Sequence, residues 1–300
     1  MRELRAAGIT EPRLQAAYEV ARTLNAEHGK TYYLATLLLP PAKRPFVHAL
    51  YGFARYADEI VDNLSSDADV TERARVLDEF EAQFRARMTD DEPAHPVIEA
   101  MRHTMRRWHI PMTHVESFMH SMRMDTRITQ YETYEDLHEY VYGSAAVIGL
   151  QMVPILGGTE SRAFDAAMDL GIAFQLANFI RDVGEDLQRG RIYLPMSELR
   201  THGVTRDVLE QRITTPAVKQ ALREQIARVR MLQQRAEHGI ALLDRDSQPC
   251  IRAASVLYCG IVDAVEDIDY DVLNRRAVVS MQRRLRVAAA AWLRAIAARG

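Results

Sequence analysis

Residues Phe174 to Pro195 read FQLANFIRDVGEDLQRGRIYLP: apolar first, then acidic, then basic, and closed by a proline. Asp182 and Asp186 are four apart. On a helix this spacing puts both carboxylates on one face, with Cβ atoms roughly 5–6 Å apart. Gln175 and Asn178 precede Asp182 by seven and four residues and join the same stripe. Like charges so placed repel unless a cation lies between them. Magnesium suits the position, because it takes hard oxygen ligands, often one or two carboxylates plus substrate phosphates. Arg181, Arg189 and Arg191 flank the acids and offer guanidinium donors to phosphate oxygens. An Asp-x-x-x-Asp pair on a solvated helix face is common, so the pair alone does not decide for a metal.

A second stretch repeats the pattern. Ala49 to Asp62 reads ALYGFARYADEIVD, with Asp58 and Asp62 again four apart. Tyr51 and Arg55 share their face, and Leu50, Phe53, Ile60 and Val61 supply apolar packing beside it. Two acidic helix faces opposed across a pocket would hold several magnesium ions with a diphosphate between them. Metals and arginines there stabilise the charge that develops as a carbon–diphosphate bond ionises.

With these residues the chain resembles the squalene and phytoene synthases, the head-to-head branch of the isoprenoid synthases. HGKTYY (His28–Tyr33) is similar to the family's N-terminal substrate motif. Tyr51 to Asp62 and Gln175 to Pro195 resemble its two aspartate-rich motifs, and YGSAAVIG (Tyr142–Gly149) its central tyrosine–glycine helix. Tyr258 and Arg276 stand where relatives carry a substrate tyrosine and arginine. The run DVGEDLQRGRIYLP is more similar to phytoene synthases than to bacterial squalene synthases.

The resemblance implies a magnesium-dependent prenyltransferase of carotenoid biosynthesis, with Mn2+ as the substitute ion. It would join two geranylgeranyl diphosphates through a cyclopropyl diphosphate to phytoene, with no NADPH. Asp58, Asp62, Asp182 and Asp186 would hold the metal. Arg55, Arg181, Arg191 and Arg276 would grip diphosphates, with His28 touching one. Gln175, Asn178, Tyr51, Tyr193 and Tyr258 would orient substrate, and Tyr142 would face a cationic intermediate. A tyrosine and the released diphosphate both stay open as the terminal base. Two alternatives remain: a squalene or dehydrosqualene synthase using farnesyl diphosphate, and a non-catalytic scaffold of the same family. All four aspartates are present, which favours an enzyme.

The rest of the chain sets the frame. It has 300 residues, 48% hydrophobic and 26% charged, with a net charge of −3. That suits a globular protein with a large core and gives no footprint for nucleic acid. No run of about 18 apolar residues spans a membrane, and the N-terminus lacks an apolar core of secretory length. Apolar residues recur at three and four positions in stretches such as 70–88 and 217–243, punctuated by Pro40, Pro41, Pro45, Pro111, Pro195, Pro216 and Pro249. The expected fold is all-α: one helical bundle of the isoprenoid synthase type over residues 1–300, with a central apolar pocket. The acidic motifs lie about 120 residues apart and must face each other, which requires one fold.

Other patterns compete. In HGKTYY the bland reading of His28, Lys30 and Thr31 is a solvated helix end. In YVYGSAAVIG the small residues admit a ligand or a neighbouring helix. Glu135 and His138 have di-iron spacing, but the only other match, Glu92 to His95, contains a proline. Asp263, Asp267 and Asp271 form a rival acidic stripe, read as a solvated face. Cys250 and Cys259, nine apart on one helix, would be separated by roughly 13.5 Å of rise, too far for a disulfide. They read as reduced core residues of a cytoplasmic protein. Arg283, Arg284, Arg286, Arg294 and Arg299 alternate with Trp292, Leu293 and Ile296 in the C-terminal helix. That pattern fits a last bundle helix or transient contact with anionic lipid.

Overall fold

The computed structural model describes residues 2–62, 70–90 and 92–299, with backbone alone at 30, 31, 62 and 70. The helices in chain order are α1 (Arg2–Ala6), α2 (Pro12–His28), α3 (Lys30–Thr36), α4 (Arg44–Asp62), α5 (Val70–Thr89), α6 (Pro96–Trp108), α7 (Met112–Asp125) and α8 (Tyr134–Val141). A π-helical turn, Tyr142–Ala146, leads into α9 (Val147–Ile155). There follow α10 (Ser161–Gln188), α11 (Met196–Thr201), α12 (Arg206–Glu210), α13 (Pro216–Ile240), α14 (Gln248–Asp267) and α15 (Met281–Ala297). Among the described residues the sole extended pairing is an isolated bridge between Gln130 and Ile192. The all-α expectation holds.

The punctuation acts as the sequence suggests, with one shift. Pro216 and Pro249 occupy first turns, where the missing N–H costs nothing. Thr215 caps α13 by accepting from the Val218 N–H at 3.2 Å. Pro45 lies inside the first turn of α4 rather than in the break before it. Helix α10 has 28 residues, about 42 Å of rise, and stops where Gly190 turns left-handed at φ 76°.

This long helix organises the molecule. It packs along α13, α14 and α9. Leu176, Ile180 and Val183 are buried in a core built mainly from α8 to α14. A second core, around Phe46, Phe53, Phe84, Met101 and Met119, fills the N-terminal half. Each fully buried side chain of this kind stabilises the fold by about 1.5–3 kcal/mol. Helix α14 serves both cores: Cys250 and Ala253 face one, Cys259 and Val262 the other. Both cysteines are free and buried, and burial pushes each thiol up to about 12.

The small residues of YGSAAVIG serve both purposes that the sequence left open. A Cβ on Gly149 would lie 2.3 Å from the Ala167 carbonyl oxygen, and one on Gly171 would lie 2.6 Å from that of Ala145. Backbone thus meets backbone where the π-turn and α9 cross α10. Ser144, Ala145 and Gly149 also border a cavity. Among the described residues no helix is long and apolar enough to cross a membrane.

Candidate active site

Helix α4 presents one side of the site. Its buried face carries Leu50, Phe53, Ala57 and Val61, which leaves Tyr51, Arg55 and Asp58 together on the other. Arg55 donates from Nη1 to Asp58 Oδ2 at 2.6 Å and from Nε to Glu59 Oε1 at 3.1 Å. His28 Nε2 lies 3.5 Å from the same Glu59 oxygen. Glu59 therefore ties the two motifs together. Sequence reasoning passed over it, although it follows Arg55 by four residues. Tyr51 stacks on Tyr32 with centroids 5.3 Å apart, and burial pushes its phenol upward. Helix α4 ends on Asp62. The side chains of Asp62, Lys30 and Thr31 lie outside the described residues.

Helix α10 presents the other side. Arg181 grips Asp182 in bidentate fashion, with Nε to Oδ1 at 2.7 Å. Arg276, from the segment after α14, reaches Asp182 Oδ1 at 3.1 Å and Glu185 Oε2 at 3.4 Å. Asp186 has no such partner: no side-chain hydrogen bond or ion pair reaches its carboxyl among the described residues. Burial, reinforced by the neighbouring Asp182 charge, pushes it up to about 7, with Arg189 and Arg191 offsetting part of the rise.

Two cavities adjoin. One, of about 530 Å³, is polar and lined by His28, Tyr51, Asn178, Arg181, Tyr258, Arg276 and Arg284, among others. The other, of about 220 Å³, is almost wholly apolar and runs between α3, α9, α10, α13 and α14. Tyr32 borders both. Phe174 of the apolar cavity stacks on Tyr258 of the polar one at 4.7 Å, so the two spaces share a wall of rings. Gln175 lines the apolar cavity. Burial pushes the Tyr258 phenol up to about 12, which keeps it neutral.

Six of the residues singled out from sequence thus line one polar space: His28, Tyr51, Asn178, Arg181, Tyr258 and Arg276. Arg55 and Asp58 continue the Tyr51 stripe along α4, and Asp182 and Asp186 continue α10 past Arg181. Two residues are placed elsewhere, and a third, Arg191, stands on the turn after α10, its N–H bonded to the Asp186 carbonyl, outside the lining of that space. Tyr142 lines a shallow depression with Glu116, His120, His138 and Glu139. Tyr193 is buried against Phe179, ring centroids 4.1 Å apart, with its hydroxyl on Asp125. Arg191 donates to the Asp125 carbonyl at 2.9 Å. The rival stripe is held by cations that the sequence did not pair with it. Asp263 meets Arg230 and Arg283 at 3.0 and 2.8 Å, and Asp271 meets Arg275 at 3.1 Å.

The donor set fits a hard divalent cation. Among the described residues no three His, Cys, Asp or Glu side chains converge on a point. An ion here would draw on one or two carboxylates and complete its shell with phosphate oxygens and water, the usual habit of magnesium. Asp186, buried beside a second acid and without a cation on its carboxyl, is the group most in need of one.

The sequence of the squalene/phytoene synthase family matches residues 25–283. The chain belongs to that family. Among its relatives, the 15-cis-phytoene synthase of Synechococcus elongatus is 36% identical over 294 residues, covering 94% of each chain. The chloroplastic phytoene synthase of Daucus carota is 36% identical over 289 residues, covering 94% of this chain and 72% of its own. A ligand-bound dehydrosqualene synthase superposes with a TM-score of 0.84 at 25% identity, over 93% of this chain and 96% of its own. The squalene synthase HpnC of Alicyclobacillus acidocaldarius gives 0.80 at 26%, over 88% and 98%. The family's fold is therefore the fold seen here, and the two Asp-x-x-x-Asp pairs of the chain fall on α4 and α10.

Proposed function

We propose that this protein condenses two geranylgeranyl diphosphates head to head to give phytoene. The observation that carries the reading is the join between the two cavities: a mouth rich in arginine, with acids continuing beyond it, opens beside an apolar chamber across Tyr32. A prenyl diphosphate has the same two halves. Its diphosphate would meet Arg181, Arg276 and Asn178, with His28 and Arg55 opposite, and its chain would lie between α10, α13 and α14.

The chemistry has two halves. The C–O bond of one substrate breaks, the diphosphate leaves with the electron pair, and the double bond of the second substrate attacks. Loss of a proton gives the cyclopropyl diphosphate. That intermediate ionises in turn, rearranges and loses a second proton. No electrons are gained or lost, so no reductant enters the balance. Asp58, Asp62, Asp182 and Asp186 would hold magnesium, or manganese in its place, which supplies positive charge to the leaving diphosphate. The arginines supply more of that charge, and the apolar chamber keeps water from trapping the cations. The phytoene synthase relatives are nearer in sequence than the squalene and dehydrosqualene synthases of known structure, which favours the longer substrate.

The lipid nature of substrate and product also accounts for α15. Met281, Leu285, Trp292 and Ile296 fall within one narrow arc of this helix and are all exposed, with Arg286 and Arg294 also outward. Such a helix rests in the headgroup region of an anionic bilayer. Arg284, in its first turn, and Val278, just before it, line the polar cavity, so the mouth would open beside the membrane of a cytoplasmic, peripherally bound enzyme. The test is incubation of purified protein with magnesium and each prenyl diphosphate, with and without liposomes. A forty-carbon hydrocarbon from geranylgeranyl diphosphate supports the reading, and a thirty-carbon product formed preferentially from farnesyl diphosphate contradicts it.

A further inference from the structure

The buried carboxylate of Asp125 lies outside both aspartate-rich motifs, at the last residue of α7. It accepts a hydrogen bond on each oxygen: from the Tyr140 hydroxyl at 2.5 Å and from the Tyr193 hydroxyl at 2.9 Å. Its main-chain carbonyl accepts from Arg191 Nη2 at 2.9 Å, and Arg191 Nη1 lies 3.3 Å from the Tyr193 oxygen. Rings close the arrangement. Tyr193 stacks on Phe179 of α10 with planes 4° apart, and Tyr131 and Tyr140 pack on its other sides. The backbone is tied in the same place. Ile192 N–H donates to Thr129 O at 2.8 Å, and Met196 N–H to Tyr131 O at 3.0 Å. The Arg191 N–H itself donates to Asp186 O at 2.8 Å.

We propose that Asp125 is a positioning residue for diphosphate binding: through Tyr193 and its own carbonyl it fixes the guanidinium of Arg191, whose main-chain N–H is bonded to the Asp186 carbonyl. An arginine on a turn after a helix would otherwise sample many rotamers, and ordering it on binding would weaken the contact. A carboxylate is suited to the task because it accepts from two phenols at once. The inference rests on the reading that Arg191 grips a substrate diphosphate.

Binding of inorganic pyrophosphate with magnesium, measured by calorimetry alongside the melting temperature, tests it. Arg191→Gln weakens pyrophosphate binding, which checks the reading beneath. Asp125→Asn and Tyr193→Phe each weaken it about tenfold, the equivalent of one anchoring hydrogen bond. Tyr140→Phe removes the other phenol, which does not touch Arg191. It lowers the melting temperature as much as Tyr193→Phe and leaves pyrophosphate affinity within about twofold. In the Arg191→Gln background Asp125→Asn adds no further loss, as a shared pathway requires. If Arg191→Gln weakens binding but Asp125→Asn and Tyr193→Phe do not, the positioning role is overturned while the diphosphate reading stands. Equal losses from Tyr140→Phe and Tyr193→Phe overturn it too, because a merely structural network predicts them. An Arg191→Gln variant with unchanged affinity overturns both.

Discussion

Replacing Asp182 by Asn separates the chemical role of the second acidic motif from its structural one. The Asp182 carboxylate is held by Arg181 at 2.7 Å and by Arg276 at 3.1 Å. Each charge-assisted bond of this kind contributes about 1.5–3 kcal/mol at most, and Asn retains one acceptor oxygen. The substitution also removes a charge that pushes Asp186 upward, which relieves repulsion. The net structural cost is therefore about 1 kcal/mol, a fall of about 1–2 °C in melting temperature for a chain of this size. Turnover loses far more. A metal ligand and a fixed negative charge disappear where the leaving group ionises, and losing one electrostatic stabiliser costs on the order of a hundredfold or more. Single-turnover conversion of radiolabelled geranylgeranyl diphosphate, with the melting curve of the same sample, measures both. A variant that melts within a few degrees of the parent and turns over within about threefold of it refutes the assignment of Asp182 to the metal.

The remaining expectations concern pH, packing, the rival acids and the surface. With its folded value raised to about 7, Asp186 stabilises the metal-free protein at acid pH and loses that contribution as pH climbs from about 4 to about 7. Magnesium takes the ionised form, so its half-saturating concentration should be about tenfold higher at pH 6 than at pH 8; a flat profile would remove Asp186 from the site. Gly171→Val places a branched side chain against the Ala145 carbonyl, where even a Cβ would be 2.6 Å away. It should cost about 1–3 kcal/mol by overpacking, read from the urea midpoint. Asp267, exposed on the outer stripe, should tolerate Asn with activity unchanged, and a loss matching that of Asp182→Asn would overturn the choice of acids. Trp292→Glu with Leu293→Glu should abolish sedimentation with anionic liposomes and leave activity in detergent intact; unaltered sedimentation would exclude α15 as the membrane face.

The parts of this account that were legible in the sequence are those that depend on helical period. Asp58 with Arg55 and Tyr51, and Asp182 with Asn178 and Gln175, share stripes because three- and four-residue spacings must align on a helix. The cysteines were legible for the same reason. What was hidden depends on approach between distant segments. No spacing indicated that Arg276 would meet Asp182, 94 residues away, or that Arg230 and Arg283 would neutralise the rival stripe. Tyr193 looked like a substrate contact, yet it is enclosed by rings from α8 and α10 and held by an aspartate 68 residues earlier. Arg181 looked ready to meet phosphate directly. It lies on Asp182, its immediate neighbour, and would share that carboxylate with a bound metal. Tyr142 opens a π-turn and lines the outer depression, whereas Ser144 and Ala145 of the same turn reach the apolar cavity. A one-residue widening of a helix leaves no mark in a pattern of apolar residues.

The most direct test of the central claim is the identity of the hydrocarbon made. Purified protein with magnesium receives geranylgeranyl and farnesyl diphosphates in competition, with and without NADPH, and the products are resolved by chromatography. The account predicts a forty-carbon hydrocarbon from geranylgeranyl diphosphate, in equal yield with and without NADPH, because the last cation loses a proton and accepts no hydride. Preference for farnesyl diphosphate, or a product that forms only when NADPH is present, would contradict it.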